Sequence, residues 1–88
     1  MYLTFGEALA NLKKGKKLAR KCWVEKNVYI KLVKGQIIPN HKDKGFNNDN
    51  GDLVILEHID MFNERQQQVV GWTATQEDIL SCDWTIVF

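Results

Sequence analysis

The same helix-start pattern occurs near both ends of this 88-residue chain. Thr4 is followed three residues later by Glu7, and Thr75 is followed three residues later by Asp78. In this pattern, a capping box, the threonine hydroxyl accepts a hydrogen bond from an N–H of the first turn, and the carboxylate accepts one from the threonine N–H. The sequence therefore predicts one helix near each terminus, with the rest of the chain between them.

Each predicted helix has apolar residues to bury. In the first helix they recur at the spacing of one helical face: Phe5, Ala8, Leu9 and Leu12. Gly15 is the predicted stop, because glycine readily takes the left-handed conformation that ends many helices. In the second helix, Ile79 and Leu80 are expected to provide the apolar cover. Asp83 is then expected to end the helical segment, and Trp84 to pack in the core.

Between the helices, runs of β-branched and aromatic residues alternate with turn formers. The predicted strands cover residues 16–20, 28–33, 53 to about 62, 67–72 and 83–88, with a hairpin connection at 63–66. Residues 39–52 are rich in Asn, Asp and Gly and predict a surface loop. This loop does not match a calcium-binding loop, because Phe46 would hold the first ligand position if Gly51 stood at the sixth. The prediction is one α+β domain over residues 1–88: a largely antiparallel sheet, an N-terminal helix and a short C-terminal helix.

Length and composition exclude several classes of protein. With 88 residues, of which 44% are apolar, the chain has room for one folded core. No apolar run approaches the roughly 18 residues that a membrane-spanning helix needs. The N-terminus has no signal-peptide pattern, so we expect a cytoplasmic protein. Because a core of this size is modest, we also expect oligomerisation to add stability.

Charge is divided unevenly, although the formal net charge is only +1. Residues 1–42 contain ten Lys or Arg against two acids, whereas residues 43–88 contain two Lys or Arg against nine acids. Two interpretations stay open. The two halves either solvate their own surfaces or pair across a subunit contact. Alternatively, the basic half forms a positive site for a phosphate-bearing partner.

The sequence gives little support for catalytic chemistry. Without a secretion signal, Cys22 and Cys82 are expected to be reduced thiols. The two histidines, His41 and His58, are predicted to lie in a loop and in a strand, and no Cys or His pair has the spacing of zinc ligands. We therefore expect a protein that is not an enzyme, with no catalytic residue, metal or cofactor.

Several short segments, taken in order, carry a resemblance to a known family. They are TFGEAL (residues 4–9), GKK (15–17), RKCW (20–23), WTATQEDIL (72–80) and DW (83–84). This arrangement resembles the Thoeris anti-defence type-two family of phage "sponge" proteins, formerly a domain of unknown function. The resemblance covers both ends and most of the chain, with a variable loop between about residues 36 and 52. The chain departs from the family pattern at Gly71 and Ala74, where relatives often have proline, and at Cys22, where a glycine is common.

The resemblance implies a concrete function. Family members bind the cyclic ADP-ribose-type signal that a bacterial immune enzyme makes after infection, and they hold it without cleaving it. The expected ligand is glycocyclic ADP-ribose, and its sequestration prevents activation of the Thoeris effector in the infected bacterial cell. Some relatives also bind cyclic dinucleotides. The family assembles as oligomers, commonly homotetramers, with ligand pockets between subunits.

The residue chemistry and the resemblance together give eight candidate ligand-binding residues: Phe5, Arg20, Trp23, Asn27, Trp72, Thr75, Gln76 and Asp78. Each has a structural alternative. Trp23 and Trp72 would stack on a base or pack in the core. Arg20 would bind a phosphate through its planar fork of donors, or pair with an acid of the C-terminal half.

The other candidates have alternatives of the same kind. Asn27 would contact a base edge or a ribose hydroxyl, or it would shape a turn. Thr75 and Asp78 are expected to cap the helix, and free N–H groups at that helix start, with Gln76, would also reach the ligand. Phe5 lies on the apolar stripe and is expected in the core, although its place at the helix start would also let it line a pocket.

Two other classes of function compete with a sponge. A small nucleic-acid-binding protein would use the basic N-terminal half and its tryptophan, but the acidic half would repel the phosphate backbone unless the two halves are well segregated. A nucleotide hydrolase would need a general base or a metal cluster, and neither occurs at a recognisable spacing. Nucleic acid is therefore not the expected partner.

Overall fold

The computed structural model describes residues 1–39 and 51–88. The predicted loop at 39–52, with Phe46 and His41, lies almost entirely outside the described residues. The helices and strands follow one another in this order: α1 Phe5–Lys13, β1 Lys17–Arg20, α2 Lys21–Val24, β2 Tyr29–Val33, β3 Gln36–Ile38, β4 Leu53–Ile55, β5 His58–Phe62, β6 Gln68–Val69, α3 Gln76–Leu80 and β7 Trp84–Val87.

One five-stranded sheet organises the described chain, with the strand order β6-β5-β2-β1-β7. All neighbouring strands in it run antiparallel, and β3 pairs with β4 in a separate two-stranded antiparallel sheet. The predicted α+β class is confirmed, with its N-terminal helix, antiparallel sheet and short C-terminal helix. In the described part of the chain, no helix has the length and apolar character needed to cross a membrane.

The N-terminal helix begins and ends where the sequence predicts. The Thr4 hydroxyl accepts from the Glu7 N–H at 3.2 Å, and the Glu7 carboxylate accepts from the Thr4 N–H at 2.9 Å. Ala8 and Leu12 are fully buried, whereas the other two residues of the apolar stripe are half-buried. Gly15, just beyond the helix, has a φ of 87°. A nine-residue helix is too short to be stable alone in water, so the burial of this stripe stabilises it.

The two faces of the five-stranded sheet differ. Leu18 pairs with Ile30, and both side chains are fully buried against α1, together with Trp84 of β7. We call this side the helix-covered face, because the packed residues of all three helices contact it. Side chains one step along each strand point to the other side, which we call the open face. It carries Lys17, Tyr29, Lys31, Phe62 and Gln68.

Two strand predictions were wrong in extent. The strand expected from 53 to about 62 is interrupted, because β4 ends at Ile55 and β5 begins at His58. β4 pairs with β3, a strand that the sequence analysis missed, whereas β5 pairs with β2. The strand expected at 67–72 is limited to β6, because Gly71 takes a φ of 81° and turns the chain. A change of pairing partner ends the first of these strands, and a turn ends the second.

Two helical predictions also need correction. The four-residue helix α2 was not predicted, and its first residue follows directly on the last residue of β1. In α3, Ile79 and Leu80 do not provide apolar cover within the chain, since they are 43% and 76% exposed. The buried residue of this five-residue helix is Asp78, and the next two residues are rotated away from the sheet by the helical repeat of about 3.6 residues per turn.

Candidate ligand-binding site

The three tryptophans meet where β1 ends and β7 begins. Trp23 lies in α2, Trp72 lies just before α3, and Trp84 begins β7. The ring centroids are 5.2 Å apart for Trp23 and Trp84, 6.0 Å for Trp72 and Trp84, and 6.2 Å for Trp23 and Trp72. All three pairs meet edge to face, an arrangement that the ring quadrupole favours. We call these three residues the tryptophan cluster.

The three rings differ in exposure. Trp84 is fully buried, its indole N–H donates to the Asp78 carbonyl at 2.9 Å, and the Phe5 ring lies 5.7 Å away. Trp23 and Trp72 are half-buried and pack against the core from the outside. The prediction that Trp84 packs is confirmed. Trp23 and Trp72 combine packing with a surface that solvent reaches.

Arg20 ends β1 and is held by acids from the C-terminal half of the chain. Its Nε and Nη2 donate to the two carboxylate oxygens of Asp83 at 2.9 and 3.2 Å. Its Nη1 donates to Asp78 at 3.0 Å and to the exposed Glu77 at 3.4 Å. The hydrogen bond to Asp83 is the main cause of a raised pKa for Arg20, and it outweighs burial, which lowers that pKa. Of the two interpretations of Arg20, this structure shows the ion pair.

Asp78 connects the cap of α3 to Arg20. One carboxylate oxygen accepts from the Thr75 N–H at 2.9 Å, and the Asp78 N–H donates to the Thr75 hydroxyl at 3.1 Å. The other oxygen accepts from Arg20. Burial by itself would raise the pKa of Asp78, but the hydrogen bonds with Thr75 and Arg20 lower it below its ordinary value. The predicted capping box is confirmed, and its carboxylate also anchors the helix to β1.

The structure brings seven of the eight candidate residues to this region. They are Phe5, Arg20, Trp23, Trp72, Thr75, Gln76 and Asp78. Asn27 lies apart, in the turn after α2, and lines a hollow with Lys17 and Tyr29. Its φ of 57° is in the left-handed region, which asparagine tolerates better than most residues. Its interpretation as a turn residue therefore accounts for its backbone.

Comparison with known proteins places the chain in a family. A family model described as Thoeris anti-defense 2-like domain matches residues 3–87. The chain belongs to the Thoeris anti-defense 2-like family. It is also 29% identical over 88 residues to the protein named Thoeris anti-defense 2 of Bacillus phage SP01, with 97% of this chain and 94% of that protein aligned. The resemblance drawn from the short sequence segments is confirmed, and phage anti-defence is the class of function.

Asp83 is a residue of the candidate site whose structural role in this Thoeris anti-defense 2-like chain the sequence analysis misinterpreted. It was expected only to end a helical segment, yet it holds Arg20 through two hydrogen bonds. The two residues are 63 positions apart, and they meet because Arg20 is the strand partner of Trp84. The sequence analysis gave an acid of the C-terminal half as one alternative partner of Arg20 but did not identify Asp83, since the contact depends on the pairing of β1 with β7.

Asp60 is a second residue that the sequence analysis missed in this Thoeris anti-defense 2-like chain. It is fully buried in β5, and its carboxylate accepts from the Gly71 N–H at 2.9 Å and from the Gln68 amide at 2.6 Å. His58 Nε2 lies 3.3 Å from it. Burial by itself raises the pKa of Asp60, but these hydrogen bonds lower it below its ordinary value. The carboxylate thus fixes the turn that leads into Trp72.

The His, Cys, Asp and Glu side chains of this family member do not form a metal site in the part of the chain that the structure describes. Among residues 1–39 and 51–88, no group of three or more His, Cys, Asp or Glu side chains is arranged to hold a metal ion. Cys22 and Cys82 are exposed free cysteines. The acids nearest the tryptophan cluster are held by a guanidinium group, so their charge is compensated from within the chain.

Proposed function

We propose that this protein binds glycocyclic ADP-ribose, a cyclic ADP-ribose-type immune signal, and sequesters it without cleaving it, so that the Thoeris effector is not activated. The observation that carries the proposal is the pair Trp23 and Trp72. Their rings are held edge to face by the buried Trp84, and both remain half-exposed. An indole face fixed in this way is a platform for an adenine base, an interaction worth about 1–3 kcal/mol.

Polar groups beside the platform would contact the rest of the ligand. Thr75 and Gln76 begin α3, only a few residues after Trp72, and both are exposed. We assign Arg20 and Asp78 a positioning role, because their mutual hydrogen bond holds this helix start against β1. A phosphate placed directly on Arg20 would meet the carboxylates that already surround the guanidinium, so it would be repelled.

Exposed apolar residues next to the platform support an oligomeric pocket. Val70, Ile79 and Leu80 are 70%, 43% and 76% exposed, and they flank Trp72 and the cap of α3 in the chain. Apolar patches of this kind mark interaction surfaces. We propose that a neighbouring subunit of a homotetramer covers them and closes the pocket, because a sponge needs an affinity that comes from burying most of its ligand.

The proposal is of a binding protein, not an enzyme, that acts in the cytoplasm of the infected bacterial cell. A general base must be free to take a proton from the reacting group. Asp78 and Asp83, the carboxylates closest to the tryptophan cluster, accept hydrogen bonds from Arg20 and are poor candidates for that role. This arrangement favours retention of the ligand over its hydrolysis.

The test is a calorimetric titration with glycocyclic ADP-ribose, followed by heat denaturation and analysis of the released ligand. We expect tight binding and recovery of intact ligand. Trp72→Leu should weaken binding about tenfold or more, since it removes the stacking surface but keeps an apolar side chain. The matched control is Tyr29→Leu, which changes an aromatic residue on the open face and should leave affinity unchanged.

Two results would refute the proposal: no binding of the intact protein, or release of a cleaved ligand. A parallel titration with a cyclic dinucleotide tests the alternative ligand that some relatives bind. If the cyclic dinucleotide bound tightly, and glycocyclic ADP-ribose did not, the sponge would be assigned to the other signal class. Circular dichroism of each variant checks that lost affinity is not lost folding.

A further inference from the structure

The open face of the sheet combines stacked aromatic rings with lysines. Tyr29 and Phe62 are direct partners on β2 and β5, and their rings stack with centroids 4.9 Å apart and planes 16° from parallel. The Lys17 ammonium lies 5.0 Å from the centre of the Tyr29 ring. Lys31 stands two residues after Tyr29 and therefore points to the same face. None of these residues has a role in the proposed sponge.

Two solvent-accessible hollows flank the aromatic pair. The first lies beside Tyr29 and includes Lys17. The second, of about 510 Å³, lies beside Phe62 and includes Lys31 and Lys34. Each hollow therefore places an aromatic ring next to at least one ammonium group. Ring faces stack on nucleic acid bases, and ammonium groups pair with phosphates.

Three acids of the C-terminal half are compensated by partners within the chain. Asp78 and Asp83 are on the helix-covered face, where they are paired with Arg20. Asp60 belongs to the open face by register and is the direct strand partner of Lys31, but it is fully buried and its oxygens accept from Gly71 and Gln68. A phosphate backbone can bind only where the acidic half does not repel it, and on this face Asp60, the acid opposite Lys31, is buried and hydrogen-bonded.

Charge decides between possible occupants of the open face. A second copy packed face to face across a two-fold axis would place two lysine-bearing surfaces against each other, and like charges in close contact are costly. A small ligand would be poorly enclosed, because both hollows are open to solvent. An extended polyanion with unpaired bases satisfies both the rings and the lysines. We propose that the open face binds single-stranded nucleic acid, with bases on Tyr29 and Phe62 and phosphates on Lys17 and Lys31.

The experiment is a fluorescence anisotropy titration of the full chain with labelled oligothymidylate at several salt concentrations. The two phosphate contacts, at Lys17 and Lys31, predict that log K falls with log salt concentration with a slope of about −1.4, since each contact on a single strand contributes roughly −0.7. Tyr29→Leu should weaken binding about tenfold, and Phe62→Leu should do the same if Tyr29→Leu fails to fold. Saturating glycocyclic ADP-ribose should leave the affinity unchanged, because the tryptophan cluster is on the other face.

The lysines are tested against a matched control. Lys17→Gln with Lys31→Gln should weaken binding and make the salt slope less steep by about 1.4. Lys13→Gln with Lys14→Gln removes the same charge from exposed positions at the end of α1, which packs on the helix-covered face, and should preserve the slope. Circular dichroism confirms that both double variants fold.

Four outcomes would overturn the proposal: no binding of oligothymidylate at low salt, equal loss of binding in both double variants, equal affinity for duplex DNA, or protein self-association that Tyr29→Leu abolishes. The last result would assign the open face to a second copy of the chain. The proposal would be established by binding that requires Tyr29, Phe62, Lys17 and Lys31 and that prefers single strands over duplex DNA.

Discussion

Two buried charged residues organise the segments that carry the tryptophan cluster. Arg20 lies on the helix-covered face and ties α3 to β1, whereas Asp60 lies in β5 and fixes the turn before Trp72. Burying either charge without partners would cost several kcal/mol, so the hydrogen bonds around them are a requirement of the fold. Removing one partner leaves the other charge uncompensated, and this makes both residues sensitive to substitution.

Arg20→Lys tests whether the planar guanidinium group of Arg20 is needed for its hydrogen bonds to the surrounding acids. Lysine keeps the positive charge but cannot donate two parallel hydrogen bonds to Asp83, so we expect the free energy of unfolding to fall by about 2 kcal/mol. Urea denaturation measures this loss. Arg65→Lys, at an exposed position, is the matched control and should change stability by less than about 0.5 kcal/mol. Equal effects of the two substitutions would contradict the assigned role of Arg20.

Asp60→Asn tests, through the pH dependence of stability, whether the negative charge of Asp60 stabilises the fold. Because folding lowers the pKa of Asp60, its charged form stabilises the protein above the ordinary value of 3.8, and this stabilisation is lost as the pH falls through the lower folded value. We expect Asp60→Asn to be about 2 kcal/mol less stable than the parent at pH 7. The difference should shrink in acid, as the parent carboxyl becomes protonated. Urea denaturation at pH 7 and near pH 3 measures it, and a constant difference would refute the prediction.

At the scale of elements, short helices and strands depend on their neighbours. α1 and α3 have nine and five residues, each begins with a capping box, and neither is long enough to be stable in isolation. The β3–β4 pair is likewise only three residues long on each side, below the size of a stable hairpin in water. Its geometry depends on a close approach at Gly35, where a Cβ atom would clash with the Ile55 carbonyl oxygen.

Gly35→Ala should disturb the β3–β4 pair, because the added Cβ has no room without a backbone shift. We expect a loss of about 1–3 kcal/mol in the free energy of unfolding, measured by urea denaturation. Gly6→Ala is the control, since the nearest atom to its Cβ would be 3.9 Å away and alanine favours the helix by up to about 1 kcal/mol. A neutral Gly35→Ala would show that this approach is not required.

At the scale of the whole molecule, the charge asymmetry is partly resolved within one chain. The basic half contributes Arg20 and the acidic half contributes Asp78 and Asp83, so the halves pair across the sheet and α3. The sequence analysis included this pairing as one of the two alternatives for Arg20. The surplus lysines of the basic half lie in part on the open face, and the exposed apolar residues Val70 and Leu80 lie near the tryptophan cluster in the chain.

Leu80→Glu tests the proposed subunit contact. Leu80 is 76% exposed, so a glutamate there should leave a single chain folded but should prevent its burial against a neighbour. We expect light scattering coupled to gel filtration to show a tetramer for the parent and smaller species for Leu80→Glu. Leu56→Glu, at a residue that is 77% exposed beyond β4, is the control and should remain tetrameric. A monomeric parent, or equal dissociation of both variants, would contradict the proposed subunit contact.

The sequence by itself determined the features that depend on neighbours along the chain. Both capping boxes, the apolar stripe of α1 and the stop at Gly15 are local, so residue type and spacing were sufficient to predict them. The α+β class followed from the same local signals. The family resemblance, which was drawn from short contiguous segments, was also confirmed.

Only the tertiary structure decided which distant residues meet. The pairing of β1 with β7 brings Arg20 to Asp83, and the turn at Gly71 covers Asp60, although nothing local marks either contact. The break between β4 and β5 depends on which strand each of them pairs with. The outward position of Leu80 depends on which side of α3 packs against the sheet. Strand pairing is a long-range choice among many similar apolar runs, and burial follows from that choice, so neither can be derived from spacing along a single chain.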